Sequence, residues 1–169
     1  FTTEEESGGL LGLRRGYDRF FTQFRPPAGT EIAEVKIAAA TGLAITPASS
    51  GTDGSDGPVV LHFHGGGYCF GSAKCSVEYG ERLSRAVGGT CLALEYRLAP
   101  EHPYPAALED ALAAWRWLTE THEPSTILFS GESAGCGLAL AAAISLRDEG
   151  DALPAGIIAL SPFVDCTLK

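Results

Sequence analysis

Thr126-Ile127-Leu128-Phe129-Ser130-Gly131-Glu132-Ser133-Ala134-Gly135 is an apolar, strand-like run that ends on a G-x-S-x-G turn. A small-residue, helix-like run follows from Ala134 to about Leu146. A strand that bends sharply into a helix around one serine is the context that gives this short motif meaning. Glycine is required at 131 and 135 because the turn is too tight for a side chain where neighbouring backbone comes close. The bend lifts the Ser133 hydroxyl off the sheet edge, and the positive end of the following helix dipole points at the same spot. Ser133 is therefore a candidate nucleophile; without the strand and the helix, the motif would be an ordinary small-residue turn.

Upstream of this turn the apolar pattern repeats. Residues 59–63 read as a buried strand, residues 76–87 as a helix ended by Gly88-Gly89, and residues 91–95 as the next buried strand. Residues 96–105 form a proline-stiffened loop, and Pro105 suits the first position of a helix through residues 106–118, where a missing N–H costs nothing. After the Ser133 helix, which runs to about Arg147, Glu149-Gly150-Asp151 breaks the chain before a last strand over 156–160. Strands that alternate with helices and are continuously apolar predict an α/β fold, a mostly parallel sheet with helices on both faces. Ahead of it, residues 31–39 alternate, with Ala33, Val35, Ile37 and Ala39 on the apolar face, as in a half-buried strand. Residues 42–46 suit its hairpin partner, and residues 49–57 form an exposed loop.

Residues 1–24 stand apart in composition, with Leu10, Leu13, Tyr17, Phe20, Phe21 and Phe24 at helical spacing and Arg14, Arg15, Asp18 and Arg19 between them. Gly12 and Gly16 weaken that helix. The stripe suits either a helix packed on the core or a mobile cap over an apolar site. The reading adopted is a cap, because an aromatic stripe before the first strand needs something to cover. The division is thus a cap segment over 1–24 and one α/β domain over 25–169.

Composition narrows the function classes. Twelve basic against 21 acidic residues give a formal charge of −9, and no Lys/Arg cluster offers the basic face that a nucleic-acid partner requires. No apolar run reaches the length of a membrane span. Residues 1–6 are polar and acidic where a signal peptide would carry basic residues, which predicts no leader and a cytoplasmic location. With no methionine in 169 residues, the expectation is that the N-terminus is cut or processed. The five cysteines (Cys69, Cys75, Cys91, Cys136 and Cys166) lack C-x-x-C spacing and read as free thiols, with no metal site.

The strand over 59–63 delivers His64-Gly65-Gly66-Gly67-Tyr68. Three successive glycines leave backbone N–H groups uncovered, and with the N–H of Ala134 they offer donors for an oxyanion, the arrangement of the HGGG loops of lipases and esterases. His64 stands at the root of the loop and reads as a brace for it rather than as a general base. His62, His102 and His122 read as structural. Tyr68 and Phe70, after the glycine loop, and Glu132, inside the serine turn, are candidates for the walls of a substrate pocket.

His64-Gly65-Gly66-Gly67, the loop Tyr96-Arg97-Leu98-Ala99-Pro100-Glu101-His102-Pro103, Gly131-Glu132-Ser133-Ala134-Gly135 and Ser161-Pro162-Phe163-Val164-Asp165 together resemble the hormone-sensitive lipase family of α/β-hydrolases. The resemblance implies that Ser133 is the nucleophile, that Gly66, Gly67 and Ala134 supply the oxyanion hole, and that residues 1–24 belong to an N-terminal cap. It further implies a serine carboxylesterase for small, fairly apolar acyl esters, with no cofactor. Two positions depart from the family: Glu132 replaces its usual Asp, and Cys136 its usual Gly.

In this fold the triad follows the order Ser, Asp or Glu, His. The sequence after Ser133 contains no histidine. Its acidic residues are Asp148, Glu149 and Asp151 at a helix end, and Asp165, which closes a strand too early for the family's acid. The expectation is a chain that carries the nucleophile half of an enzyme, inactive by itself and completed by a missing C-terminal segment of the same protein. The competing readings are a complete small protein that has lost catalysis, a non-catalytic, receptor-like binding protein, and an amide or formamide hydrolase. The sequence carries no signal for oligomeric state.

Overall fold

The computed structural model describes residues 9–38, 40–48, 57–165 and 167. Its strands are β1 (Glu31–Ile37), β2 (Ala40–Thr46), β3 (Val59–Phe63), β4 (Thr90–Glu95), β5 (Ile127–Glu132) and β6 (Gly156–Leu160). They stand in the spatial order β1-β2-β4-β3-β5-β6. β4, β3, β5 and β6 pair in parallel, while the β1–β2 hairpin is antiparallel and joins β4 antiparallel. Parallel neighbours need crossovers, supplied by helices α2 (Val77–Val87), α3 (Ala106–Thr119) and α4 (Ala134–Glu149). A further helix, α1 (Gly9–Phe21), precedes the sheet.

Every position of β3 is buried, and the period of two sorts its neighbours onto opposite faces. Leu61, Phe63, Leu92, Leu94, Ile127 and Phe129 share one core with Trp115 and Leu118 of α3 and Leu138 and Leu146 of α4. Phe129 sits at the centre of this layer, edge-on to both Phe63 and Trp115 at 5.6 and 5.3 Å. Val60, Cys91 and Ala93 point the other way and pack with Leu83 of α2. Helices therefore cover both faces. The crossover from β3 runs to one side and the return from β4 to the other, so the winding direction reverses between β3 and β5. In open α/β sheets the crevice at that reversal, beyond the carboxyl ends of the strands, is where ligands bind.

Several sequence expectations need correction. β1 is not half-buried along its length: it is the outer strand, only Ile37 is buried and Val35 partly so, and Ala33 is exposed because, among the described residues, no helix covers that end. Pro105 stands one residue before α3 rather than in its first position. β5 continues through Gly131 and Glu132, and β6 ends at Leu160, well before Asp165. The aromatic stripe of α1 is split by its helical phase. Leu13, Phe20 and, just beyond the helix, Phe24 are exposed, whereas Arg14, Tyr17, Asp18 and Phe21 turn inward. Residues 1–8, Ala39, Cys166 and the exposed-loop reading over residues 49–56 lie outside the described residues.

Candidate active site

The end of β5 and the start of α4 meet at Ser133, whose φ of 51° and ψ of −119° are a strained conformation for a residue with a side chain. The bend needs glycine on both sides. A Cβ built at Gly131 would overlap the Gly135 carbonyl, and one at Gly135 would overlap the carbonyl oxygen of Phe63 in β3. Close strand–helix packing thus forces the turn, and the turn leaves Ser133 exposed. Its backbone is gripped from the β6 side: Ser133 N–H donates to the Leu160 carbonyl at 3.0 Å, and Phe163 N–H donates to the Ser133 carbonyl at 3.1 Å. Ala134, buried, is the first residue of α4, so its N–H has no acceptor within the helix.

The glycine loop leaves β3 on the same rim. Gly66 has φ of 118°, and a Cβ there would overlap the Phe70 carbonyl. The Gly66 carbonyl accepts from Cys69 N–H at 3.0 Å and Phe70 N–H at 2.9 Å, which closes the loop into a compact turn. Glu132 reaches across from β5, and its Oε1 accepts the Gly65 N–H at 3.3 Å. Gly65, Gly66, Gly67, Glu132 and Ser133 line one open cleft of about 420 Å³, flanked by Tyr17 and Phe21 of α1 and by Leu160 and Ser161. Burial pushes the Tyr17 phenol up to about 12.

Of the pocket-wall candidates, Glu132 lines this cleft and the other two do not. Tyr68, at φ of 61°, turns into a separate, largely apolar cavity of about 320 Å³ with His102, Leu108 and Leu138. Phe70 stacks on Tyr17 with ring centres 6.2 Å apart. Neighbours in one tight loop fan to different sides, which spacing alone does not reveal. Sequence reasoning passed over Tyr17 and Phe21 as cleft walls, although the stripe that contains them was visible.

His64 is buried against Tyr96, with rings stacked at 4.1 Å. Its Nδ1 bonds the Gly65 carbonyl at 2.8 Å, and its own carbonyl accepts from the Tyr96 hydroxyl at 2.7 Å. Burial lowers its pKa to about 4, so the ring is neutral, with Nδ1–H donating and Nε2 unpartnered among the described residues. His62 lies on the opposite face of β3, its Nδ1 3.2 Å from Ser130 Oγ, and burial lowers it to about 3. His122 sits in the turn after α3, 2.9 Å from the Thr121 hydroxyl.

Cys69, Cys75, Cys91 and Cys136 are free thiols. Cys75 donates to Asp18 Oδ1 at 3.1 Å, and burial pushes it up to about 11. Among the described residues no group of three or more His, Cys, Asp or Glu side chains is placed to hold a metal ion, and no helix is long and apolar enough to cross a membrane.

Residues 60–169 match a family described as an α/β-hydrolase fold. An acetyl-hydrolase of Streptomyces hygroscopicus is 46% identical over 111 residues, covering 65% of this chain and 37% of that protein. An esterase of Acinetobacter venetianus is 30% identical over 157 residues, covering 92% of this chain and 50% of its own length. The chain thus spans half or less of these two relatives. The crystal structure of a hormone-sensitive lipase from a metagenome library superposes with a TM-score of 0.86 at 35% identity, over 95% of this chain and 52% of that one. The chain belongs to the α/β-hydrolase fold family, within the group of esterases homologous to hormone-sensitive lipase.

Proposed function

We propose that this chain supplies the nucleophile and the oxyanion-binding amides of a serine carboxylesterase for small, apolar acyl esters. The observation that carries the reading is the exposed, strained Ser133 sharing one cleft with the triple-glycine loop. In the reaction, Ser133 Oγ bonds to the ester carbonyl carbon as its proton passes to a base. The carbonyl oxygen becomes an oxyanion held by the N–H groups of Gly66, Gly67 and Ala134. The C–O bond then breaks, the alcohol leaves with that proton, and water cleaves the acyl-enzyme to acid and free serine. One such donor is worth about 2.7–4 kcal/mol in the transition state.

The base and its carboxylate partner are assigned to sequence outside these 169 residues. His62 and His64 are sealed in the core, His102 lines the apolar cavity, and His122 bonds Thr121 in a turn. His64 acts as the brace of the glycine loop, α1 as part of the cap, and Glu132 as a second brace through Gly65 N–H. The length relation to the relatives supports a division of the triad between this chain and further sequence.

The test is turnover of a p-nitrophenyl ester of a short acid by the full-length protein, by its Ser133→Ala variant and by the 169-residue chain alone. Full-length protein turns over, and Ser133→Ala loses about 10⁴-fold or more in kcat. The isolated chain does nothing. An active Ser133→Ala variant would move the nucleophile elsewhere. Binding of the ester without turnover by the full-length protein would instead favour a receptor-like role.

A further inference from the structure

We propose that Arg14 of α1 is a positioning residue for the oxyanion-binding amides, an assignment that rests on the ester-hydrolase reading above. Its guanidinium spends all three nitrogens on two loops. Nε donates to the Cys69 carbonyl at 2.7 Å, Nη2 donates to the Ala99 carbonyl at 2.8 Å, and Nη1 and Nη2 grip Glu101 at 2.9 and 2.7 Å.

The first of these bonds has a destination. The Cys69 carbonyl shares a peptide plane with Phe70 N–H, which donates to the Gly66 carbonyl at 2.9 Å. The Gly66 carbonyl in turn shares a plane with the N–H of Gly67, a residue that lines the cleft with Ser133. A cation thus sits at the head of an unbroken line of alternating carbonyls and amides that ends on a proposed oxyanion donor. Each donation polarises the next link, by roughly 10–30% per bond, so the guanidinium makes Gly67 N–H a stronger donor as well as holding it in place.

The second bond completes the grip. Ala99 N–H donates to the Tyr68 carbonyl at 2.9 Å, so Arg14 holds the glycine loop directly through Cys69 and indirectly through Ala99. An ordinary docking pair would need only Glu101, whose side chain is half exposed and whose ion pair is therefore screened and weak. α1 has no fully buried residue, so polar bonds of this kind help set where the helix stands, beside the partly buried Tyr17 and Phe21.

The experiment uses the full-length protein, with Arg14→Ala, Arg14→Lys and Glu101→Gln variants and with Ser133→Ala as reference. kcat and KM for p-nitrophenyl acetate are measured per titrated active site. Inhibition constants are taken for a matched methyl ketone and trifluoromethyl ketone; the latter adds to the serine and places an oxyanion in the hole. Arg14→Ala lowers kcat about 10- to 100-fold with KM within about threefold, and the preference for the trifluoromethyl ketone shrinks by a similar factor. Arg14→Lys restores part of both, because a point charge cannot serve two carbonyls and a carboxylate at once. Glu101→Gln loses less than Arg14→Ala, since both carbonyl bonds persist. A lower melting temperature with unchanged kcat and ketone ratio in Arg14→Ala would reduce Arg14 to a helix dock. Should that variant not fold, an unchanged ratio in Arg14→Lys would do the same. A parent without turnover, or an active Ser133→Ala, would sink the hydrolase reading itself and this assignment with it.

Discussion

A serine held at φ of 51° stays there only if its surroundings leave it no alternative. Gly131 and Gly135 provide that compulsion by letting α4 approach β5 and β3 to backbone contact. Adding one methyl at Gly135 must push the helix off the Phe63 carbonyl, so Gly135→Ala is expected to cost about 3 kcal/mol or more, read as a fall in the urea midpoint. A variant within 0.5 kcal/mol of the parent, the ordinary range for neutral surface changes, would show that the elbow is looser than its geometry implies. These two glycines and the serine were legible because a five-residue motif carries its own steric argument. Arg14 was not. Its backbone acceptors lie 55 and 85 positions away in the chain, and on a helical wheel it looked like the polar spacing between aromatic residues. The separate placement of Tyr68 and Phe70 was not legible for a related reason: a loop that contains a left-handed residue does not keep its side chains on one side.

Among the elements, strand and helix assignments from residue 59 onward followed directly from continuous apolar runs separated by glycine and proline. β1 did not obey its alternation, because a strand at the margin of a sheet has the pattern of a buried face without anything to bury it against. The loop over 96–105 is fixed by charges as well as by the buried Tyr96 ring. Asp110, 5% exposed on α3, takes the Arg97 backbone N–H at 2.8 Å and its side-chain Nε at 3.0 Å. The guanidinium is held even more firmly protonated than usual by Asp110 and Glu109. α1 has a poor helical sequence and side chains that are at most partly buried. A Cβ at Gly16 would meet nothing within 4 Å, so Gly16→Ala is expected to stabilise α1 by about 0.5–1 kcal/mol through backbone entropy alone. Slower amide exchange over α1, with the exchange of β3 unchanged, would be the signature; faster exchange there would mean that Gly16 is needed for the helix to sit down.

On the scale of the molecule, the two core histidines make stability depend on acidity. Burial lowers His62 to about 3 and His64 to about 4, whereas both titrate near 6.5 in an unfolded chain. Above that value neither state binds the protons and the contribution is complete. As the pH falls from about 6.5 towards 4, the unfolded chain takes up protons that the folded one refuses, and stability drops by up to about 1.4 kcal/mol per pH unit for each histidine. Urea midpoints at pH 7, 6 and 5 should therefore decline, and His62→Gln should flatten the decline whatever its effect at pH 7; parallel lines for parent and variant would contradict this account. The sheet has a larger consequence. Its parallel strands all discharge towards Ser133, so the chain returns to β4, β5 and β6 on the far rim, through Gly88, the turn after α3 and the exposed segment 150–153. The proposed reaction site and the return turns stand at opposite poles. A lineage or an engineer can lengthen the distal turns, splice in a peptide or tether a second module there while the Ser133 end goes on unaltered.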